Sequence, residues 1–77
     1  MPKLPRIGGS EAVRAFRKAG FHTDRYAGSH EILKKPGHPF HLSVPVHKGK
    51  NVATGTLRAL IADAGLTVEE FVELLRS

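Results

Sequence analysis

The chain has 77 residues with no cysteine, and its lysines and arginines outnumber its acids to give a net charge of +5. That length suits a single domain over residues 1–77, with one core and chemistry resting on a few side chains. The absence of cysteine excludes a disulfide framework and thiolate metal ligation. "PKLPRIGGSE" after Met1 offers no apolar leader, so we expect a soluble cytoplasmic protein with no membrane partner.

The charge is unevenly spread. Residues 1–60 carry eleven of the twelve bases against Glu11, Asp24 and Glu31, whereas residues 61–77 set Asp63, Glu69, Glu70 and Glu73 against Arg76 alone. A basic body with an acidic final segment fits a polyanionic partner on one face.

In chain order, "MPKLPRIGGS" is broken by two prolines and two glycines and reads as an extended arm. Ser10 is then placed to cap a helix over "SEAVRAFRKAG", with Glu11 set favourably against the helix dipole. Ala12, Val13, Phe16 and Ala19 form its apolar face, and Gly20 supplies the stop. "FHTDRYA" and "HEILKK" follow as short strands joined at Gly28-Ser29. In the second, Ile32 and Leu33 are adjacent, so only one is expected to face the core.

After the Pro36-Gly37 turn, Phe40, Leu42, Val44 and Val46 alternate with His41, Ser43, Pro45 and His47, the period of a half-buried strand. Pro45 cannot donate to a ladder and places this strand at an edge or at its end. Leu57, Leu60, Ile61 and Ala64 recur at helical spacing and Gly65 closes that helix. The last helix carries two start signals, a Thr67/Glu70 capping box and a Leu66–Phe71 staple, and its stripe is Val68, Phe71, Leu74 and Leu75. The order αβββαα predicts a three-stranded antiparallel meander with its helices on one face. The outward face should then carry His41, Ser43 and His30.

The five histidines raise the question of a metal. His38, His41 and His47 are close in sequence, but His41 and His47 would lie about 20 Å apart on an extended strand. Without cysteine or a nearby carboxylate we expect neither a metal nor any other cofactor. A Ser29–His30 nucleophile pair is disfavoured because adjacent strand residues point to opposite faces. "GKNVATGT" lacks the Gly-Lys-Ser/Thr ending of a phosphate loop.

What remains is cleavage of RNA by an imidazole. Such chemistry needs a base for the ribose 2′-hydroxyl and cations for the charged transition state. His30 sits between Arg25 and the pair Lys34-Lys35, although in isolation it reads more readily as an exposed hairpin histidine.

"LPRIGGSEAVRAFRKAGF", the "GSH" of Gly28–His30 and "VPVHKGKNVATGTLRALIADAGLTVEEFVELL" resemble the HicA-type toxins of type II toxin–antitoxin systems, from Leu4 to Leu75. The resemblance implies an α+β fold like a double-stranded-RNA-binding domain, αβββα with an additional C-terminal helix. It also implies a metal-independent endoribonuclease that cuts messenger RNA, with its catalytic histidine at His30 and a HicB-type antitoxin as protein partner. On that basis Arg25, Lys34 and Lys48 are expected to contact phosphate, Gly28 to admit the turn and Ser29 to donate to the substrate. His47 is the candidate second proton-transfer group. Glu31, an acid next to His30, departs from the apolar residue often found there in the family, and the sequence leaves open whether it slows cleavage, raises the proton affinity of His30 or faces away from it. A non-catalytic RNA-binding module is the main alternative, and a domain with a basic face for an acidic protein partner is a third.

Overall fold

The computed structural model describes residues 3–77. Its elements are α1 (Gly9–Lys18), β1 (His22–Ala27), β2 (His30–Lys34), β3 (Leu42–Pro45), α2 (Thr54–Asp63) and α3 (Val68–Arg76). The strands form an antiparallel sheet in the order β1-β2-β3. The helices cover one face of it, giving the expected α+β architecture of a double-stranded-RNA-binding-like αβββα unit with one more helix.

The start of α1 differs from expectation. Gly8, not Ser10, is the capping residue, and the Glu11 carboxylate accepts from the Gly8 N–H at 3.4 Å. Ser10 is displaced into the first turn because the helix must begin where the backbone meets β3. A Cβ on Gly9 would collide with the Pro45 carbonyl and lie 2.8 Å from Val46 Cα, so only glycine permits this approach. The arm before it is pinned. Val52 N–H donates to the Ile7 carbonyl at 2.9 Å, and both side chains are buried.

The core draws on every layer. Phe16 of α1, Leu33 of β2, Leu42 and Val44 of β3, Leu57 and Ile61 of α2 and Phe71 of α3 have almost no exposed surface. Each such side chain contributes about 1.5–3 kcal/mol on leaving water. The Phe16 and Phe71 rings lie 5.1 Å apart and join α1 to α3, and Phe21 meets Phe16 edge-on at 6.2 Å. Lys18 donates to the carbonyls of Leu74 and Ser77, placing a cation at the C-terminal end of α3.

At the start of α3 the expected capping box is complete. Thr67 Oγ1 accepts from the Glu70 N–H at 3.0 Å, and Glu70 Oε1 from the Thr67 N–H at 2.8 Å. Leu66 packs against the core that contains Phe71.

Two strand expectations are corrected. β3 is shorter than the Phe40–Val46 alternation, and Phe40 is 55 % exposed instead of inward. The segment before β3 is held through His38, whose Nε2–H donates to the Asp63 carbonyl at 2.6 Å while its ring meets Phe21 edge-on at 5.3 Å. Ile32 and Leu33 are both buried. Leu33 joins the helix-side core, whereas Ile32 lies on the other face of this central strand.

Candidate functional site

Strand register decides which side chains share a face. His30, Ile32 and Lys34 of β2 lie opposite Pro45 and Ser43 of β3 and Ala27, Arg25 and His22 of β1. This is the face the helices leave open. His30 and Ser43 thus reach the side expected of them, and His41 is exposed just ahead of β3.

Arg25 reaches this face through a β-bulge. Thr23 pairs with Leu33 and Arg25 with Ile32, so Asp24 is an extra residue in β1. Without it, alternation would turn Arg25 toward the helices and Tyr26 toward His30. The bulge reverses both.

Asp24 itself binds the two cations of the site. Its carboxylate accepts from Arg25 Nη1 at 2.7 Å and lies 3.4 Å from Lys34 Nζ. The Arg25 hydrogen bond, with support from Lys34, holds its pKa below the usual carboxylate value. Nothing in the sequence pattern singled out Asp24. An acid beside an arginine, in a stretch of the chain poor in acids, was the available signal.

Gly28 and Ser29 form the two-residue turn between β1 and β2, with Gly28 at φ +59° and Ser29 at negative φ. This is the sign pattern of a type II′ hairpin turn, in which glycine takes the first central position. A Cβ on Gly28 would meet nothing within 4 Å, so the requirement is one of backbone angle. The β2–β3 ladder continues past the turn, with Val46 N–H donating to the Ser29 carbonyl at 2.8 Å. That bond carries His47 to the turn, where its Nε2 is hydrogen-bonded to Ser29 Oγ at 3.1 Å.

His30 pairs with Pro45 across the ladder, so the two imidazoles belong to the same end of the sheet. His30 is exposed, and its imidazole makes no hydrogen bond among the described residues. Lys48 follows His47 on an exposed turn closed by the Lys50 N–H on the His47 carbonyl.

Of the alternatives left open for Glu31, the structure supports the one in which it faces away from His30. It is 7 % exposed on the helix side of β2, where its Oε2 accepts from Thr23 Oγ1 at 2.5 Å and lies 3.5 Å from Arg17 Nη2. Successive strand residues point to opposite faces, so the carboxylate is turned away from the imidazole and fastens β2 to β1 and α1. No three His, Asp or Glu side chains among the described residues are grouped closely enough to hold a metal ion. His38 and His47 are fixed in different places, at the end of α2 and at the β1–β2 turn.

A histidine thus lies on the open face of a small α+β sheet, with an arginine and a lysine on the same face. Residues 9–66 match the family model described as HicA toxin of bacterial toxin-antitoxin. The chain belongs to this HicA family and is a toxin component of a toxin–antitoxin system. No curated protein matches it significantly. The family match ends at Leu66, ahead of α3, and is shorter than the Leu4–Leu75 resemblance read from the sequence. No helix among the described residues is long and apolar enough to cross a membrane.

Proposed function

We propose that the chain acts as a single toxin domain that cleaves messenger RNA in the cytoplasm, and that His30 is its catalytic residue. The observation that carries this reading is the placement of an exposed imidazole on the open sheet face with Arg25 and Lys34 in the same register. In the proposed reaction His30 takes the proton from a ribose 2′-hydroxyl. The freed oxygen attacks the adjacent phosphorus and the bond to the 5′-oxygen breaks, leaving a 2′,3′-cyclic phosphate and a 5′-hydroxyl. The leaving oxygen needs a proton, and His47, positioned by Ser29, is the group at this end of the sheet suited to give it.

Arg25, Lys34 and Lys48 offset the charge that builds on the phosphoryl oxygens, which requires the RNA to compete with Asp24 for the first two. Gly28 shapes the turn, and the Ser29 hydroxyl contacts the same phosphate. No step draws on a metal ion or cofactor. A HicB-type antitoxin that covers the open face would suppress the activity.

The test is cleavage of a labelled RNA in EDTA by the wild type and by His30→Ala, with folding of the variant checked by circular dichroism. Loss of about 10²–10⁴-fold in rate is expected for removal of a general base. Equal cleavage by both proteins would refute the role of His30. Binding without cleavage by the wild type would identify a non-catalytic RNA-binding module, and binding of a protein partner but no RNA an interaction domain.

A further inference from the structure

Tyr26 exposes 67 % of its surface and is the most exposed large hydrophobic side chain among the described residues. The bulge at Asp24 places it on the helix side of β1, in register with Glu31 and away from the face of His30. There it lines a cleft of about 240 Å³ with Ser10, Val13, Arg14 and Arg17 of α1 and with the Glu31 carboxylate, which is paired to Arg17. Arg17 is steadied by Thr23 Oγ1 at 2.5 Å and by Glu31, whereas Arg14 has no hydrogen bond or ion pair among the described residues. An aromatic ring left in water beside two guanidinium groups matches a ligand that is both flat and anionic.

We propose that Tyr26, Arg14 and Arg17 form a stacking subsite for an unpaired RNA base, so that the substrate is single-stranded RNA. The proposal rests on the ribonuclease reading and names its substrate class. The geometry links the two sites. β1 is an edge strand, and Tyr26 lies across the ladder from the residue next to His30, at a cross-strand Cα spacing of about 5 Å. A strand whose phosphate meets His30 and Arg25 on the open face can turn over this edge and lay a neighbouring base on the tyrosine ring. Arg14 and Arg17 then meet its phosphate. A duplex keeps its bases stacked on one another and offers no free base face, so this subsite selects against it despite the double-stranded-RNA-binding-like fold.

The chain has one tyrosine and no tryptophan, so its tyrosine emission reports on Tyr26 alone. The experiment titrates the His30→Ala protein, which leaves RNA intact, with a short single-stranded RNA and with a duplex of the same sequence. Binding is followed by anisotropy and stacking by tyrosine emission corrected for absorption. Single-stranded RNA is expected to quench the emission at least twofold and the duplex to leave it nearly unchanged.

In the same His30→Ala background, Tyr26→Ala should weaken single-strand binding by about 5- to 150-fold, with Tyr26→Phe restoring most of it. RNA bound at full affinity by Tyr26→Ala, or with unchanged emission, overturns the subsite and leaves the ribonuclease reading standing. No RNA binding by any form, and no cleavage by the wild type, overturns both. Quenching by a protein partner but not by RNA reassigns the cleft to a protein interface.

Discussion

The two faces of one three-stranded sheet are built from alternate residues of the same strands, yet they carry different loads. The helix side holds Leu33, Leu42 and Val44, which are fully buried, and its polar member Glu31 is satisfied by Thr23 and Arg17. The open side holds His30, Arg25, Lys34 and Ser43, and only Ile32 on it is buried. Where β2 alternates His30, Glu31, Ile32, Leu33, a one-residue change of register would exchange the stabilising set for the exposed one. The side chains that hold this fold are thus separable from those assigned to chemistry, and substitutions on either side test the division.

The largest effect on stability should come from the helix side. Phe71→Ala removes a fully buried ring packed on Phe16, and urea denaturation should show a loss of about 3–5 kcal/mol. His30→Ala should leave the same denaturation curve in place while abolishing cleavage. A variant that lost both together would end the separation.

A smaller effect is expected at Glu31. Glu31→Ala leaves Thr23 and Arg17 without their buried acceptor and should cost about 1–2 kcal/mol, discounted because Arg17 is more than half exposed. Glu31→Gln should leave the pH dependence of cleavage where it is, because the carboxylate faces away from His30. A displaced pH–rate profile would show that charge on one face is felt on the other.

The smallest effect belongs to Asp24. Its pKa is lowered in the folded chain, so its contribution to stability is complete above about pH 4 and is lost as the pH falls through the lower native value. Denaturation midpoints taken between pH 7 and pH 2 should fall slightly less in Asp24→Asn than in the wild type. Its carboxyl carbon should titrate below the usual range by NMR.

The helices were legible because their signals are local. Thr67 and Glu70 are three residues apart and cap α3 as the spacing predicts, and Leu57, Leu60 and Ile61 are buried as their period requires. What the sequence hid depends on contacts between distant segments. Ser10 looked like a cap because nothing nearby reveals that Gly9 must touch Pro45. Whether Glu31 faces His30 was left open by the sequence, and the strand register settles its direction. Arg25 was named as a phosphate contact from its place in the sequence, and the bulge that brings it to the face of His30 was not foreseen. The placement of His47 on Ser29 arises from a ladder bond between residues 29 and 46, which no local pattern announces.

The contact between Phe16 and Phe71 also has a consequence in time. The residues assigned to the site, from Arg25 to Lys48, are synthesised well before Phe71, and the hairpins that carry them need only local pairing. The core beneath them stays open until α3 arrives to close against α1. A nascent chain therefore displays the residues of the proposed site before it has the rigidity to hold them in place. Its own translation is a delay line between display of the site and closure of the core.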